Sequence, residues 1–198
     1  MPASAPIANA ASLRATAEAL ERIPGATAAI LVEGISDQIA VTTAATAQGR
    51  DLAAEHIVIV PIGGAHAITG FLARLAPHDV RLAGLCDRLE APIFQQALAS
   101  AAVSPSTFFV CDRDLEEELI RAVTPQGVLT LLESERDLRP FHSFQRQPAW
   151  RDRPLPAQLY RFLRSSSRRN LRYAHLLTTS AASADSLPHP LHALLAAV

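Results

Sequence analysis

Residues 28–41, AAILVEGISDQIAV, decide the fold. The apolar run 28–32 reads as a buried strand. It stops at Glu33, turns on Gly34, and gives way to a helix-like segment at about 36–48 that carries Asp37. The same phrase recurs downstream. Apolar runs at 57–62 (IVIVPI), 80–86 (VRLAGLC) and 107–111 (TFFVC) each precede helix-like segments, at 65–76, 91–102 and 114–122. The runs are near-continuous rather than alternating, as expected of strands covered on both faces. Strands alternating with helices make βαβ units with right-handed crossovers. The expectation is an α/β fold: a Rossmann-like, parallel four-stranded sheet with flanking helices.

Around this unit the chain divides into an extension (1–25), an α/β domain (26–123) and an arginine-rich, mostly helical C-terminal region (124–198). Residues 1 to about 11 are rich in Ala, Pro and Ser and read as loose; a short helix then runs through Arg22 and closes at Pro24-Gly25. Pro140, Pro148, Pro154 and Pro156 make 138–157 irregular, and helical patterns resume at 157–164, 168–180 and 188–197.

Composition excludes several classes. With 49% apolar and 19% charged residues, the 198-residue chain can bury a core and is not disordered. It contains no lysine, which rules out a Walker A phosphate loop and Schiff-base chemistry; any ATPase working with it is a separate chain. Receiver-type phosphoacceptor chemistry also lacks its lysine. Cys86 and Cys111 lie within apolar runs and read as buried free thiols of a reducing compartment. The N-terminus resembles no signal peptide, and no run reaches the roughly 18 apolar residues of a membrane span. The expected location is the cytoplasm, with no membrane partner.

The net charge of −1 hides a sorting of charge. Residues 1–138 carry 17 acids against 9 arginines, a balance of −8. Residues 139–175 carry 9 arginines against Asp152 alone, a balance of +8. In an open parallel sheet, ligands bind beyond the carboxyl ends of the strands. Glu33 follows the first strand, Asp87 the third, and Asp112 and Asp114 the fourth, with Asp37 and Glu116 a turn or less further on. The second strand delivers Gly63-Gly64, a turn that lets a backbone or a phosphate approach. Acids gathered at one rim repel, so they protonate or share a cation. An all-oxygen donor set suits Mg²⁺ or Mn²⁺, and such a cluster has room for two ions. The plain alternatives are structural. Asp114 and Glu117 fit a capping box, and Asp37 fits a first-turn acid behind an N-cap Ser36. Glu33 and Asp87 resist that reading, since a strand end has no helix dipole to satisfy.

These residues resemble the Toprim domain of topoisomerases, primases and several nucleases: a glutamate in VEG after the first strand and an aspartate after the third. The usual DxD is broken, with Leu89 in the second position. The likeness is closer to the overcoming-lysogenization-defect (OLD) nucleases, which have an acid four residues after the first glutamate and a DLE motif after the fourth strand. Glu33, Asp37, Asp87, Asp114 and Glu116 match that arrangement. VPIGGAHAI also resembles stand-alone actinobacterial Toprim proteins described as nucleotidyl transferase/hydrolase. The resemblance implies that these five acids hold two Mg²⁺ or Mn²⁺ ions and that Glu33 and Asp87 take part in catalysis. The family's catalytic lysine falls at Asn170, in SRRNLRYAHLL, which leaves Arg169 or Arg168 to stabilise charge without transferring a proton. The N-terminal ATPase of the full-length nucleases has no room in this chain.

Arg164, Arg168, Arg169 and Arg172, with the aromatics Phe141, Phe144, Trp150, Tyr160, Phe162 and Tyr173 of the same region, suit phosphate contacts and base stacking on a nucleic acid, with DNA favoured. The alternative is a solvated helical face paired with the acidic half of the chain. The expected function is a divalent-metal-dependent phosphodiester nuclease or nucleotidyl transferase/hydrolase. The rival is a non-catalytic module that binds DNA or a partner protein. The sequence permits an oligomer.

Overall fold

The computed structural model describes residues 7–101 and 106–198. Strands β1 (Ala28–Val32), β2 (Ile57–Pro61), β3 (Arg81–Asp87) and β4 (Ser106–Cys111) form one parallel sheet in the order β2-β1-β3-β4. The helices are α1 (Ile7–Arg22), α2 (Ile35–Ala47), α3 (Ile68–Leu75), α4 (Ala91–Ser100), α5 (Leu115–Ser134), α6 (Leu138–Gln145), α7 (Leu155–Leu163), α8 (Ser167–Ser183) and α9 (His189–Ala196). This is the α/β architecture expected, with strand ends within about a residue of those read from the sequence.

All five residues of β1 are buried, which explains why its sequence does not alternate. Ala28, Ile30 and Val32 face a core completed by α2, α5, α8 and α9, whereas Ala29 and Leu31 face one completed by α3 and α4. The first core draws on both halves of the chain: Ile30 and Leu85 of the sheet share it with Phe141, Phe162, Tyr173 and Leu191. At the sheet's centre Gly84 admits no side chain, since a Cβ there would stand 2.4 Å from the Phe108 ring and 2.5 Å from the Leu31 carbonyl oxygen. That close approach packs β3, which carries Asp87, tightly between its neighbours.

Three local expectations are corrected. Helix α1 starts at Ile7, so only residues 1–6 of the segment read as loose fall outside the described residues. The helix expected to end near 122 continues to Ser134, with a kink at Thr124 (φ 68°, ψ 151°) followed by Pro125. Proline fits at that point because it opens a new helical turn, where its missing N–H costs nothing. For the same reason Pro140 sits in the first turn of α6, and 138–145 is helical rather than irregular.

The aromatic residues of the basic region also prove to be structural. Phe141, Phe162 and Tyr173 are buried, and Phe144 stacks on Trp150 at 5.3 Å and tilts against Phe162 at 5.6 Å. Phe141, Phe162 and Tyr173 pack the C-terminal helices onto the sheet and are not available for base stacking, whereas Phe144 and Trp150 are half-buried. Tyr160 lies between Arg113 (4.0 Å) and Arg164 (5.1 Å), and its hydroxyl donates to Asp114.

Candidate metal centre

The carboxyl edge of the sheet opens into a cavity of about 160 Å³ lined by Glu33, Gly34, Ser36, Asp37, Gly63, Asp87, Asp114, Glu116, Arg164 and Asn170. The structure therefore brings together all five acids proposed as metal ligands, from three separate stretches of the chain. Each is held by its local backbone. Glu33 leaves β1 where the Gly63 N–H donates to the Glu33 carbonyl at 2.9 Å. This lock requires φ values of 78° and 114° at Gly63 and Gly64, which glycine adopts without strain. Asp87 is the last residue of β3, and the Arg88 N–H donates to the Cys111 carbonyl at 3.0 Å, tying its turn to β4.

The helical acids carry structural duties as well. The cap of α2 is Gly34 rather than Ser36, and Asp37 Oδ2 accepts the Gly34 N–H at 2.9 Å. Asp114 caps α5 as the sequence reading allowed, its Oδ1 accepting the Glu117 N–H at 2.9 Å. Its other oxygen, Oδ2, accepts from the Tyr160 hydroxyl and from Arg164 at 3.0 Å. Arg164 also lies 3.3 Å from Glu116 Oε2. Asp112 turns away, pairing with Arg88 at 2.5 Å and Arg121 at 3.5 Å on the surface.

Glu90, which the sequence reading passed over, joins the site. One carboxylate oxygen from each of Glu33, Asp87 and Glu90 lies within 4.8 Å of the others. None of the three takes part in an ion pair among the described residues. The electrostatic consequence is visible at Asp87, whose carboxyl is pushed from 3.8 to about 7 by burial and by the charges of Glu33, Asp114, Glu90 and Glu116. Burial and Glu90 likewise raise Glu33, against the pull of Arg164 and a hydrogen bond with Asp87. Burial and Glu116 hold Asp37 well above its ordinary value, and burial raises Glu116, opposed chiefly by Arg164. Three partly buried carboxylates at this spacing, all oxygen donors and none in an ion pair among the described residues, fit a Mg²⁺ or Mn²⁺ ion.

Arg169 stands elsewhere, which corrects its expected catalytic place. Its guanidinium contacts Asp137 at 3.4 Å and Ser165 Oγ at 2.7 Å and lies 4.1 Å from the Phe162 ring centre. Arg172 shares Asp137, at 2.7 Å. With Asp137, Ser166 and Arg168 the two line a separate cavity of about 300 Å³. The arginine that enters the acidic cavity is Arg164, the residue named beforehand only as a nucleic-acid contact. Asn170, in the lysine's expected position, does line the acidic cavity.

The acidic cavity ranks as the candidate site on chemistry rather than size. A larger cavity of about 440 Å³, beside Arg22, Thr42, Arg50 and Ile59, has its arginine Arg50 already bonded to Glu55.

Residues 26–88 match the family model described as the Overcoming lysogenization defect protein-like, TOPRIM domain. The matched segment contains Glu33, Asp37 and Asp87 and ends two residues short of Glu90. Among solved structures, the fold is similar to the C-terminal region of the Burkholderia pseudomallei OLD protein, with a TM-score of 0.62 and 17% identity over 87% of this chain and 96% of that one. It is also similar to the C-terminal region of the Xanthomonas campestris pv. campestris OLD protein, with a TM-score of 0.55 and 17% identity over 87% and 93%. No curated protein matches the chain.

Proposed function

We propose, on the premise that residues 26–88 are an OLD-like Toprim domain, that the chain is a divalent-metal-dependent phosphodiester nuclease or nucleotidyl transferase/hydrolase acting on nucleic acid in the cytoplasm. The observation that carries this reading is the set of Glu33, Asp87 and Glu90 oxygens within 4.8 Å at the carboxyl edge of the sheet. When bound there, the ion supplies Lewis-acid activation of water and charge neutralisation at the phosphate.

The chain's own groups divide the remaining work. Glu33, raised by burial and by Glu90, is placed to accept a proton from the attacking water. Arg164, held by Asp114 and Glu116, presents a permanent positive charge to a phosphate oxygen but moves no proton. Asn170 is neutral and contributes hydrogen bonds only. Arg168, exposed at the first turn of α8, is the natural next contact for the phosphate backbone.

Supercoiled plasmid incubated with the protein and Mn²⁺ or Mg²⁺ tests this. Nicking that is lost in both Glu33→Ala and Asp87→Ala is expected; nicking that survives both substitutions rejects the assignment. Asn170 favours a second reading, a non-catalytic domain that binds DNA or a partner protein. Salt-dependent DNA binding without metal-dependent nicking selects it. A separate ATPase chain remains a proposed partner, on the resemblance to the OLD nucleases, which carry an ATPase.

A further inference from the structure

Five of the six acids of the site fall into two unlike groups. Glu33, Asp87 and Glu90 approach one another and take part in no ion pair among the described residues, although Arg164 acts on Glu33 from a distance. Asp114 and Glu116 already share Arg164, at 3.0 and 3.3 Å from a single guanidinium nitrogen. Asp114 has no oxygen to spare: Oδ1 caps α5 through Glu117, and Oδ2 serves both Tyr160 and Arg164. The remaining acid, Asp37, has one oxygen committed to the Gly34 N–H.

We infer that Arg164 takes the place of a second cation, so that this chain binds one divalent ion, through Glu33, Asp87 and Glu90, and carries its other positive charge as a fixed guanidinium. The inference rests on the metal-site reading above and departs from the two-ion expectation drawn from the family resemblance. A second ion needs oxygen contacts of roughly 2.0–2.4 Å on Asp114 or Glu116. On Asp114, Arg164 would have to leave or the carboxylate release Tyr160 or the α5 cap; on Glu116, the ion would sit against a guanidinium already 3.3 Å from Oε2. Arg164 is anchored against that departure. It lies on the Tyr160 ring, the ring is also covered by Arg113, and the Tyr160 hydroxyl donates to the same carboxylate. Because a guanidinium stays protonated at any working pH, this counter-charge persists where lost metal would have to be rebound. Arg164 is a positioning residue for the acidic wall and a contact for the phosphate, not a proton carrier.

Mn²⁺ stoichiometry on the full chain, by calorimetry and by the paramagnetic resonance signal of free Mn²⁺, tests this without any turnover. The wild type is expected to bind one ion per chain, Arg164→Met two, and Arg164→Lys one. Glu90→Gln is expected to weaken the single wild-type ion at least tenfold. Two ions in the wild type, or one in a folded Arg164→Met, overturn the inference while leaving the metal site intact. No ion in the wild type overturns the metal-site reading itself and the inference with it. If Arg164→Met does not fold, wild-type stoichiometry and Glu90→Gln decide alone: one ion lost on that substitution supports the inference, and one ion retained overturns it.

Discussion

Replacing Asp87 by asparagine should stabilise the metal-free protein. Asp87 ends β3 beside Glu33 and Glu90, and its carboxyl is raised from 3.8 to about 7 by burial and by its acidic neighbours. At ~1.4 kcal/mol for each tenfold step, that span corresponds to ~4 kcal/mol against the ionised form in the folded state. Asp87 is only partly buried, and screening by solvent reduces the figure to ~2 kcal/mol. The sign follows from proton linkage. A carboxyl whose folded value is raised binds its proton more tightly when folded, so stability falls as pH rises from about 4 to about 7 and is flat above. Asparagine has the same shape, carries no charge and can donate to Glu33. Asp87→Asn is therefore expected to melt ~4–8 °C above the wild type at pH 8 without metal, the range for ~2 kcal/mol in a chain of this size. The gain should nearly vanish near pH 4, where the folded carboxyl is protonated and the unfolded one is close to its own midpoint, and be gone below it. Scanning calorimetry with a chelator at the two pH values reads this directly. A variant less stable than wild type at pH 8, or a gain that is the same at both pH values, would falsify the claim that acidic repulsion dominates this edge.

Two other perturbations test neighbouring parts of the account. Mn²⁺ must displace the proton that Asp87 holds with a value of about 7, so apparent Mn²⁺ affinity should fall about tenfold between pH 8 and pH 6; a pH-independent titration contradicts the assignment of Asp87 as a ligand. Gly84→Ala should destabilise the fold by ~1–3 kcal/mol, because its Cβ would overlap the Leu31 carbonyl oxygen and the Phe108 ring; an unchanged urea midpoint refutes the close packing of β1, β3 and β4.

The sheet was legible because its physics is local. Strands buried on both faces must be apolar throughout, and the first residue able to carry charge, Glu33, marks where β1 reaches solvent. The same logic puts Asp87 and Asp114 at one edge, since parallel strands end together. Glu90 was illegible for an opposite reason. It follows a strand end by three residues and looks like an ordinary helix-start acid; only the turn after Asp87, closed by the Glu90 N–H on the Asp87 carbonyl at 3.0 Å, swings it back to Glu33. The exposed Leu89 between them had suggested a broken motif, whereas the chain supplies its third carboxylate one position later.

The arginines were harder still. Nine of them crowd residues 139–175, and which one enters the cavity depends on how α7 and α8 lie against α5 and α2, a matter of tertiary packing that no local spacing encodes. Arg164 closes α7 directly over Asp114 and Glu116. Arg169 and Arg172, on the next helix, are drawn to Asp137 instead. Pairing across the chain thus satisfies part of the charge sorting seen in the sequence, and at the sheet edge it leaves Glu33, Asp87, Glu90 and Asp37 outside any ion pair among the described residues.

The most direct test is an anomalous difference map from a crystal of the full chain grown with Mn²⁺. One peak, coordinated by oxygens of Glu33, Asp87 and Glu90 at roughly 2.0–2.4 Å with Arg164 still on Asp114 and Glu116, is the predicted result. A cavity without a peak at saturating Mn²⁺, or a peak held by Asp37 and Glu116 with Glu33 and Asp87 uninvolved, contradicts it.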